Sequence, residues 1–555
     1  MRSAASILVT TAAAFALAPT ADARWLAPTA IGQLGAASLA PAVAAGPDGS
    51  VATIFPAIDN GRVAFLSSVR PAGGSWEPSV VLEAPTSGIS SVDVVIGPDG
   101  RTTAAWIATS GSRFGVRSST RAAGGSWSEP ADLSDNGSNA EQLTLASGPD
   151  GAVAATWRRY DGRRWIIEAR VRPAGGGWGP AAAISAGGQD ANSPRITLDG
   201  SGAAHALWAR SNGSKTVIEW RMLPAGGSWS PTETLSSAAY SAGYPQLAVS
   251  PAGDAVVAWT LGTAPTSVQA RLRPAGGAWE ASTHDVSASG RAANEPLAGI
   301  DGSGNATVLW SESDGMHTLV RAAAHPAGGG WSGGGPLSAG GASAGALTLA
   351  VAPDGVAVAG WARFVGGAVV IEGARRPADG AAWQPAQQLS AGGRNALYPQ
   401  VALDGRGNAV AVWDRASDAD AAKHEIQAIG FDGEAPLLDG LSVPAAATVG
   451  DAVPLAVTAF DVWSPPAAVT WSFGDGTSVA GATASHRFAQ AGEQQVTVTA
   501  VDAIGRQTSA TRVVSVAPAP VVAPLPGPGP VAPGQGGGGG GPSAAPLRAT
   551  LGAGG

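Results

Sequence analysis

The sequence predicts an all-β protein whose main body is an eight-bladed β-propeller of four-stranded repeats of about 51 residues. Two aromatic series carry that reading. The first follows a glycine turn, at Trp25, Trp76, Trp127, Trp178, Trp229, Trp279, Trp331 and Trp383. From Trp76 onward the turn reads A-G-G-x-W, except before Trp383, where it is A-D-G-A-A-W. The second lies six residues after another turn glycine (Gly49, Gly100, Gly151, Gly202, Gly253, Gly304, Gly355, Gly407), at Phe55, Trp106, Trp157, Trp208, Trp259, Trp310, Trp361 and Trp413. Residues present in every repeat serve a need of every repeat, which is packing between neighbouring sheets. A third observation concerns the ends. The eighth repeat has Gly407, Trp413 and a strand from His424 to Ile429 but no A-G-G-x-W, while Trp25 has no earlier repeat to belong to. A borrowed N-terminal strand would close a ring and remove its open edges. The count is eight, with seven plus a distorted pair as the alternative.

Within the third repeat the strands can be read in order. Leu143 and Leu145 alternate with polar neighbours, and Gly148-Pro149-Asp150-Gly151 then turns the chain. Ala152 to Trp157 is mostly small and apolar, as a strand buried on both faces would be. Ile167, Ala169 and Val171 alternate with Glu168, Arg170 and Arg172, a period of two. Pro173-Ala174-Gly175-Gly176 turns again, and Trp178 is expected to open a fourth strand ending near Ile184-Ser185.

Composition narrows the function classes. Charged residues make up 13% of the 555, the net charge is −8, and no basic cluster is present, which argues against nucleic acid as a partner. Met1-Arg2, the apolar run Ile7 to Ala18 and the small-x-small site Ala21-Asp22-Ala23 read as a bacterial-type export signal, residues 1–23. No later segment reaches 18 uninterrupted apolar residues, so the expectation is a secreted monomer without membrane insertion. With no cysteine, its stability must come from burial instead of disulfides.

Two resemblances follow from motifs. The spacing of Gly73 to Trp76, Gly175 to Trp178 and Gly328 to Trp331 resembles a degenerate Asp-box, Ser/Thr-x-Asp-x-Gly-x-Thr-Trp, of sialidase-type propellers, with proline in most repeats where the family has aspartate. From about Ala435 to Val516 the chain resembles a PKD (polycystic kidney disease) domain, on Trp471-Ser472-Phe473-Gly474-Asp475-Gly476-Thr477, His486, Phe488, Gly492, Val496, Val498 and Val501-Asp502. That resemblance implies an immunoglobulin-like β-sandwich acting as a spacer or binding module, with Trp471 and Phe473 in its core. The expected organisation is therefore a signal peptide at 1–23, the propeller at 24–434, the sandwich at 435–516 and a Pro/Gly-rich tail at 517–555. The tail cannot bury a core and is expected to be disordered.

The G-P-D-G and A-G-G turns repeat, so the face they occupy looks structural, and the opposite, variable face is where a ligand is expected. Its richest loop is in the third repeat: Arg158, Arg159, Tyr160, Asp161, Arg163, Arg164 and Trp165. Arginines beside aromatics suit carboxylate- or sugar-bearing ligands. Further candidates are Asp414, Arg415, Asp418, Asp420, Lys423 and His424 in the eighth repeat, Glu312, Asp314 and His317 in the sixth, and Tyr240, Tyr244 and Tyr398 in interblade loops. Glu168, Glu219 and Glu372 hold one repeat position and read as structural. No zinc motif, nucleophile elbow or phosphate loop stands out, so no cofactor, metal or catalytic set is assigned. The favoured function is non-catalytic binding of an extracellular glycan or protein surface. The alternative is a divergent sialidase-like glycoside hydrolase, which would need clustered arginines, a tyrosine with its glutamate, and an acid.

Overall fold

The computed structural model describes residues 23–521, apart from 36–38, 60, 87–90, 111–112, 136, 379 and 381, together with 527 and 529. All of the expected signal peptide but Ala23, and most of the expected tail, lie outside the described residues, and Ala517 itself ends a strand, Gln507–Ala517. Every regular element described is a β-strand. Six four-stranded antiparallel sheets follow one another in sequence, beside one nine-stranded sheet that holds both ends of the repeat region.

The third unit represents the others. Its strands Ala140–Ser147, Val153–Tyr160, Trp165–Arg172 and Ala182–Ala183 pair in chain order. At its first turn Asp150 Oδ1 accepts the Ala152 N–H at 2.9 Å, and Gly151 takes φ 88°, a conformation that favours glycine. The outer strand is shorter than the sequence suggests. It holds two residues, four positions after Trp178, and the chain between is held by single bonds such as Gly179 N–H to the Val171 carbonyl. Trp178 is partly buried, with the Arg172 guanidinium 5.4 Å from its ring centroid.

Packing explains why the repeat needs large aromatics. Phe55, Trp106, Trp157, Trp208, Trp259, Trp310, Trp361 and Trp413 are at most 1% exposed, among second-strand alanines and valines that leave room for them. Each such ring removes on the order of 200 Å² from water, about 5 kcal/mol gross. The apolar clusters are shared by neighbours: Trp157 lies with Ile107, Val116 and Leu133 of the preceding unit, and Trp208 with Ile167 and Ile184. The series continues around to a cluster joining Val410, Val412 and Ile426 of the last unit to Val51 and Phe55 of the first. First strands also pack in succession, and Ala396–Leu403 of the last unit packs on Ala42–Ala45 of the first.

The N-terminal strands Arg24–Trp25 and Thr29–Gly35 both pair antiparallel with His424–Asp432 of the last unit. Trp25 meets Phe431 edge to face at 5.3 Å. Gly35 then pairs with Ile58, and a Cβ on Gly35 would lie 2.2 Å from the Ile58 carbonyl oxygen, so the approach requires glycine.

The C-terminal sandwich has a three-stranded sheet (Leu437–Ser442, Ala452–Phe460, Thr483–Arg487) and a five-stranded sheet. Trp471 and Phe473 are buried in its core with Val453, Leu455 and Phe488. It rests on the turn side of the first and last units. Arg70 Nη2 donates to the Val462 carbonyl at 2.6 Å, the Arg70 guanidinium lies 4.0 Å from the Trp463 ring centroid, and Trp463 covers Gly430.

Candidate functional site

Under the second-strand tryptophans lies a set of buried ion pairs, and it claims two expected ligand residues, Arg159 and Glu312. The Trp157 indole N–H donates to Glu168 Oε2 at 3.2 Å while Arg159 Nε donates to Oε1 at 2.6 Å. Trp208, Glu219 and Arg210 repeat this arrangement, as do Trp361, Glu372 and Arg363. In the sixth unit the charges trade places, with Glu312 two residues after Trp310 and Arg321 opposite it. In the second unit Glu83, from the preceding outer strand, takes both the Trp106 indole and Arg117. Where the third strand carries Gln269 or Gln427, the Trp259 and Trp413 indoles are buried without a partner. Arg159 therefore secures the blade interior, and Glu168, Glu219 and Glu372 are repeat residues as their spacing implies.

The remaining residues of the loop in the third unit divide between a turn and a platform. Asp161 Oδ1 accepts the N–H groups of Arg163 (2.8 Å) and Arg164 (2.7 Å), which hold its carboxyl below the usual range, the Arg164 bond most. Asn212 and Asp314 make the same turn in the fourth and sixth units, so Asp161 is scaffolding. Arg164 pairs with Asp190 at 3.2 Å, and Asp190 also accepts the Trp165 N–H. Tyr160 and Trp165 face each other across the hairpin with ring centroids 5.4 Å apart. Arg158 pairs with Glu141 and lays its guanidinium over Trp165 at 4.3 Å. Arg163 is exposed, and no carboxylate among the described residues pairs with it. The structure thus brings together Arg158, Tyr160 and Trp165, and leaves Arg163 free at the tip.

The first strands supply a feature the sequence reading missed. Gln142, Ser193, Tyr244, Glu295, Ala346 and Tyr398 all have φ between 51° and 56°, each at a bulge in its first strand. This conformation is uncommon for non-glycine residues and especially for aromatic ones. Tyr244 and Tyr398, expected in interblade loops, lie instead in the strands Ala242–Val249 and Ala396–Leu403, with 62% and 42% of their surface exposed. Ser193 N–H donates to Gln142 Oε1 at 2.7 Å, so successive members touch. Two residues further along, the equivalent positions change chemistry from unit to unit: Asp93, Thr144, Arg195, Gln246, Leu297, Thr348 and Gln400. Asp93 Oδ2 accepts the Leu145 N–H of the next unit at 2.7 Å, and Arg195 Nε donates to Gln246 Oε1 at 3.2 Å. Burial pushes the Asp93 carboxyl up to about 6 despite that bond and the field of Arg195, while burial lowers Arg195.

The other candidate loops are internally satisfied. Arg415 is 2% exposed and grips Asp418 at 2.9 and 3.0 Å, and that bond holds the Asp418 carboxyl low. His424 Nδ1 lies 2.7 Å from Asp414, and Lys423 lies 3.8 Å from Asp420. Glu312 belongs to the buried pair, Asp314 to its turn, and His317 lies 3.9 Å from Asp314. Besides Asp93, the carboxyls that burial raises are Asp404, Asp432, Glu434 and Asp461, at the turn side and the sandwich junction.

Residues 433–517 match the PKD domain family. No curated protein matches the chain. Among solved structures, the chain is similar to the polysaccharide lyase Uly1, with 9% identity, TM-score 0.42, and 70% of this chain and 88% of that one covered. It is also similar to an α-L-arabinanase of Penicillium chrysogenum complexed with arabinobiose, with 10% identity, TM-score 0.32, and 73% and 98% covered. The PKD1 domain of Vibrio anguillarum Epp aligns with 23% identity and TM-score 0.14, covering 16% of this chain and 98% of that domain.

Proposed function

We propose that this chain is a secreted, non-catalytic binding protein whose loop face takes an acidic extracellular glycan. In this reading eight repeats form a closed propeller at 24–434, sealed by the N-terminal strand, after a signal peptide at 1–23. A PKD spacer follows from 435 to the end of the strand Gln507–Ala517, and the tail after Ala517 is a tether. The shared clusters between neighbouring units and the pairing of both N-terminal strands with His424–Asp432 support the ring.

The observation that carries the functional reading is the platform of Arg158, Tyr160 and Trp165. In the otherwise equivalent hairpin of the fourth unit these positions are Ala209, Ser211 and Thr216, and in the sixth they are Ser311, Ser313 and Thr318. Aromatic faces cover apolar sugar faces, and the free Arg163 beside them attracts a carboxylate or sulfate group. Binding is favoured over cleavage because the nearby carboxylates already have donors: Glu141 has Arg158, Asp161 its turn, and Asp190 both Arg164 and the Trp165 N–H. A glycosidase needs two carboxyls free to act on the substrate.

Affinity for alginate, a polyuronate, tests the reading against a neutral glucan. The full chain should retain alginate, and the Arg163→Ala/Trp165→Ala double variant should lose at least tenfold in affinity with little change in Tm. Equal affinity of variant and parent would remove the loop from the binding face. Turnover of fluorogenic glycosides by the parent would replace binding with the hydrolase reading.

A further inference from the structure

We propose that Asp432, Asp461 and Asp502 hold a divalent cation of the calcium type that fastens the repeat region to the C-terminal sandwich. Asp432 ends the last strand of the repeats, His424–Asp432. Asp461 follows the strand Ala452–Phe460, and Asp502 ends Gly492–Asp502. Three separate stretches of chain thus deliver one carboxylate each, with oxygens within 4.8 Å of one another. The three residues are 1%, 5% and 2% exposed. This proposal is independent of the glycan-binding reading, since it concerns the opposite side of the repeats.

The hydrogen bonds divide the carboxylate oxygens into two roles. Asp461 Oδ1 accepts the N–H groups of Trp463 (2.9 Å) and Ser464 (2.7 Å), and Asp502 Oδ1 accepts those of Ile504 (2.9 Å) and Arg506 (2.8 Å). Those bonds fix each loop and orient the second oxygen. Asp432 Oδ2 and Asp502 Oδ2 are buried and have no hydrogen-bond partner. A buried acceptor without a donor is costly, and one on a carboxylate more so, unless a cation or water meets it. Two arginines approach without satisfying these atoms. Arg506 Nη1 is 3.7 Å from Asp432 Oδ1 and donates to the Asp432 backbone carbonyl at 3.3 Å, while Arg70 is engaged with the Val462 carbonyl and the Trp463 ring. Three acidic side chains are therefore set against two guanidiniums whose hydrogen bonds go largely elsewhere. An all-oxygen carboxylate set suits a hard cation, with water completing the shell, and its spread over two folded parts suits calcium's tolerant geometry.

Terbium, a luminescent calcium substitute, tests the site in the full chain after EDTA treatment and removal of the chelator. Trp463, whose backbone N–H donates to Asp461 Oδ1 at 2.9 Å, should sensitise terbium emission that calcium displaces. Trp463→Phe should lose most of that emission. Calorimetric titration of the parent with calcium chloride should give one saturable site, weakened at least tenfold in Asp502→Asn and unchanged in Asp475→Asn, whose carboxylate is engaged by Thr477 and His486. If Asp502→Asn does not fold, Asp432→Asn replaces it. Absence of calcium-displaceable emission in the parent overturns the proposal, and so does equal calcium affinity in the folded cluster variant and the parent.

Discussion

The third and sixth units share their turn and their buried charges, yet only one of them carries the stacked Arg158, Tyr160 and Trp165. Asp161-Gly162-Arg163-Arg164 and Asp314-Gly315-Met316-His317 are the same hairpin, each closed by an aspartate that accepts two backbone N–H groups. Beneath them, Arg159 with Glu168 and Glu312 with Arg321 are one ion pair written in opposite directions. The hairpins differ at the tip, Arg163-Arg164 against Met316-His317, and on the strand face, where Arg158, Tyr160 and Trp165 stand against Ser311, Ser313 and Thr318. Charge in a loop is therefore a poor guide to function in this fold. Most of it closes turns or seals the blade, and what remains after that subtraction is the informative part.

The largest effect should come from breaking the reversed pair. Glu312→Gln leaves Arg321 beside Trp310 without its carboxylate, and the expected loss is about 3–5 kcal/mol, read by denaturant unfolding. Glu312→Arg with Arg321→Glu restores the order found in the third unit and should recover stability to within roughly 1 kcal/mol of the parent. A double variant as unstable as the single one would mean that the two units are not interchangeable. A smaller effect should follow from giving the third unit the sixth unit's surface. Arg158→Ser, Tyr160→Ser and Trp165→Thr together should cost roughly 1–2 kcal/mol, since these side chains are only partly buried. Alginate retention should nevertheless fall at least tenfold. Retention equal to the parent's would make the platform a packing feature like the buried pairs.

The all-β repeat was legible because tryptophan, glycine and spacing all report one packing need. Positions that satisfy a need inside one unit, such as Glu168, could be recognised by their recurrence. The ion pair of the sixth unit could not, because its reversal hides the equivalence until the strands are paired. Glu83 was invisible for a related reason: it crosses from one sheet to the next. The outer strand is shorter than the Gly-to-Trp spacing implies, because Trp178 packs beneath Arg172 before pairing begins at Ala182. Tyr244 and Tyr398 sit at strand bulges, whose extra residue breaks the period-two alternation by which a strand is read from sequence. The cluster of Asp432, Asp461 and Asp502 joins residues 70 apart in sequence, with no local spacing to mark it.

The smallest effect concerns the turn that the two units share. Asp161 and Asp314 both have carboxyl pKa values lowered chiefly by the N–H three residues on, Arg164 and His317 respectively. A depressed folded value means that each carboxylate steadies its hairpin above the ordinary aspartate range, near pH 3.9, and that this contribution is lost as pH falls through the folded value. Amide chemical shifts of Arg163 and Arg164, followed with those of Met316 and His317 during acid titration, should therefore move together and below that range. Replacing Asp161 with alanine should disorder only its own hairpin, because the platform strands remain paired from Tyr160 and Trp165 inward. If the two turns titrate apart, or if the carboxyls titrate at or above the ordinary range, the turn of the third unit is not mere scaffolding. Asp161 would then return to the list of residues that meet the ligand.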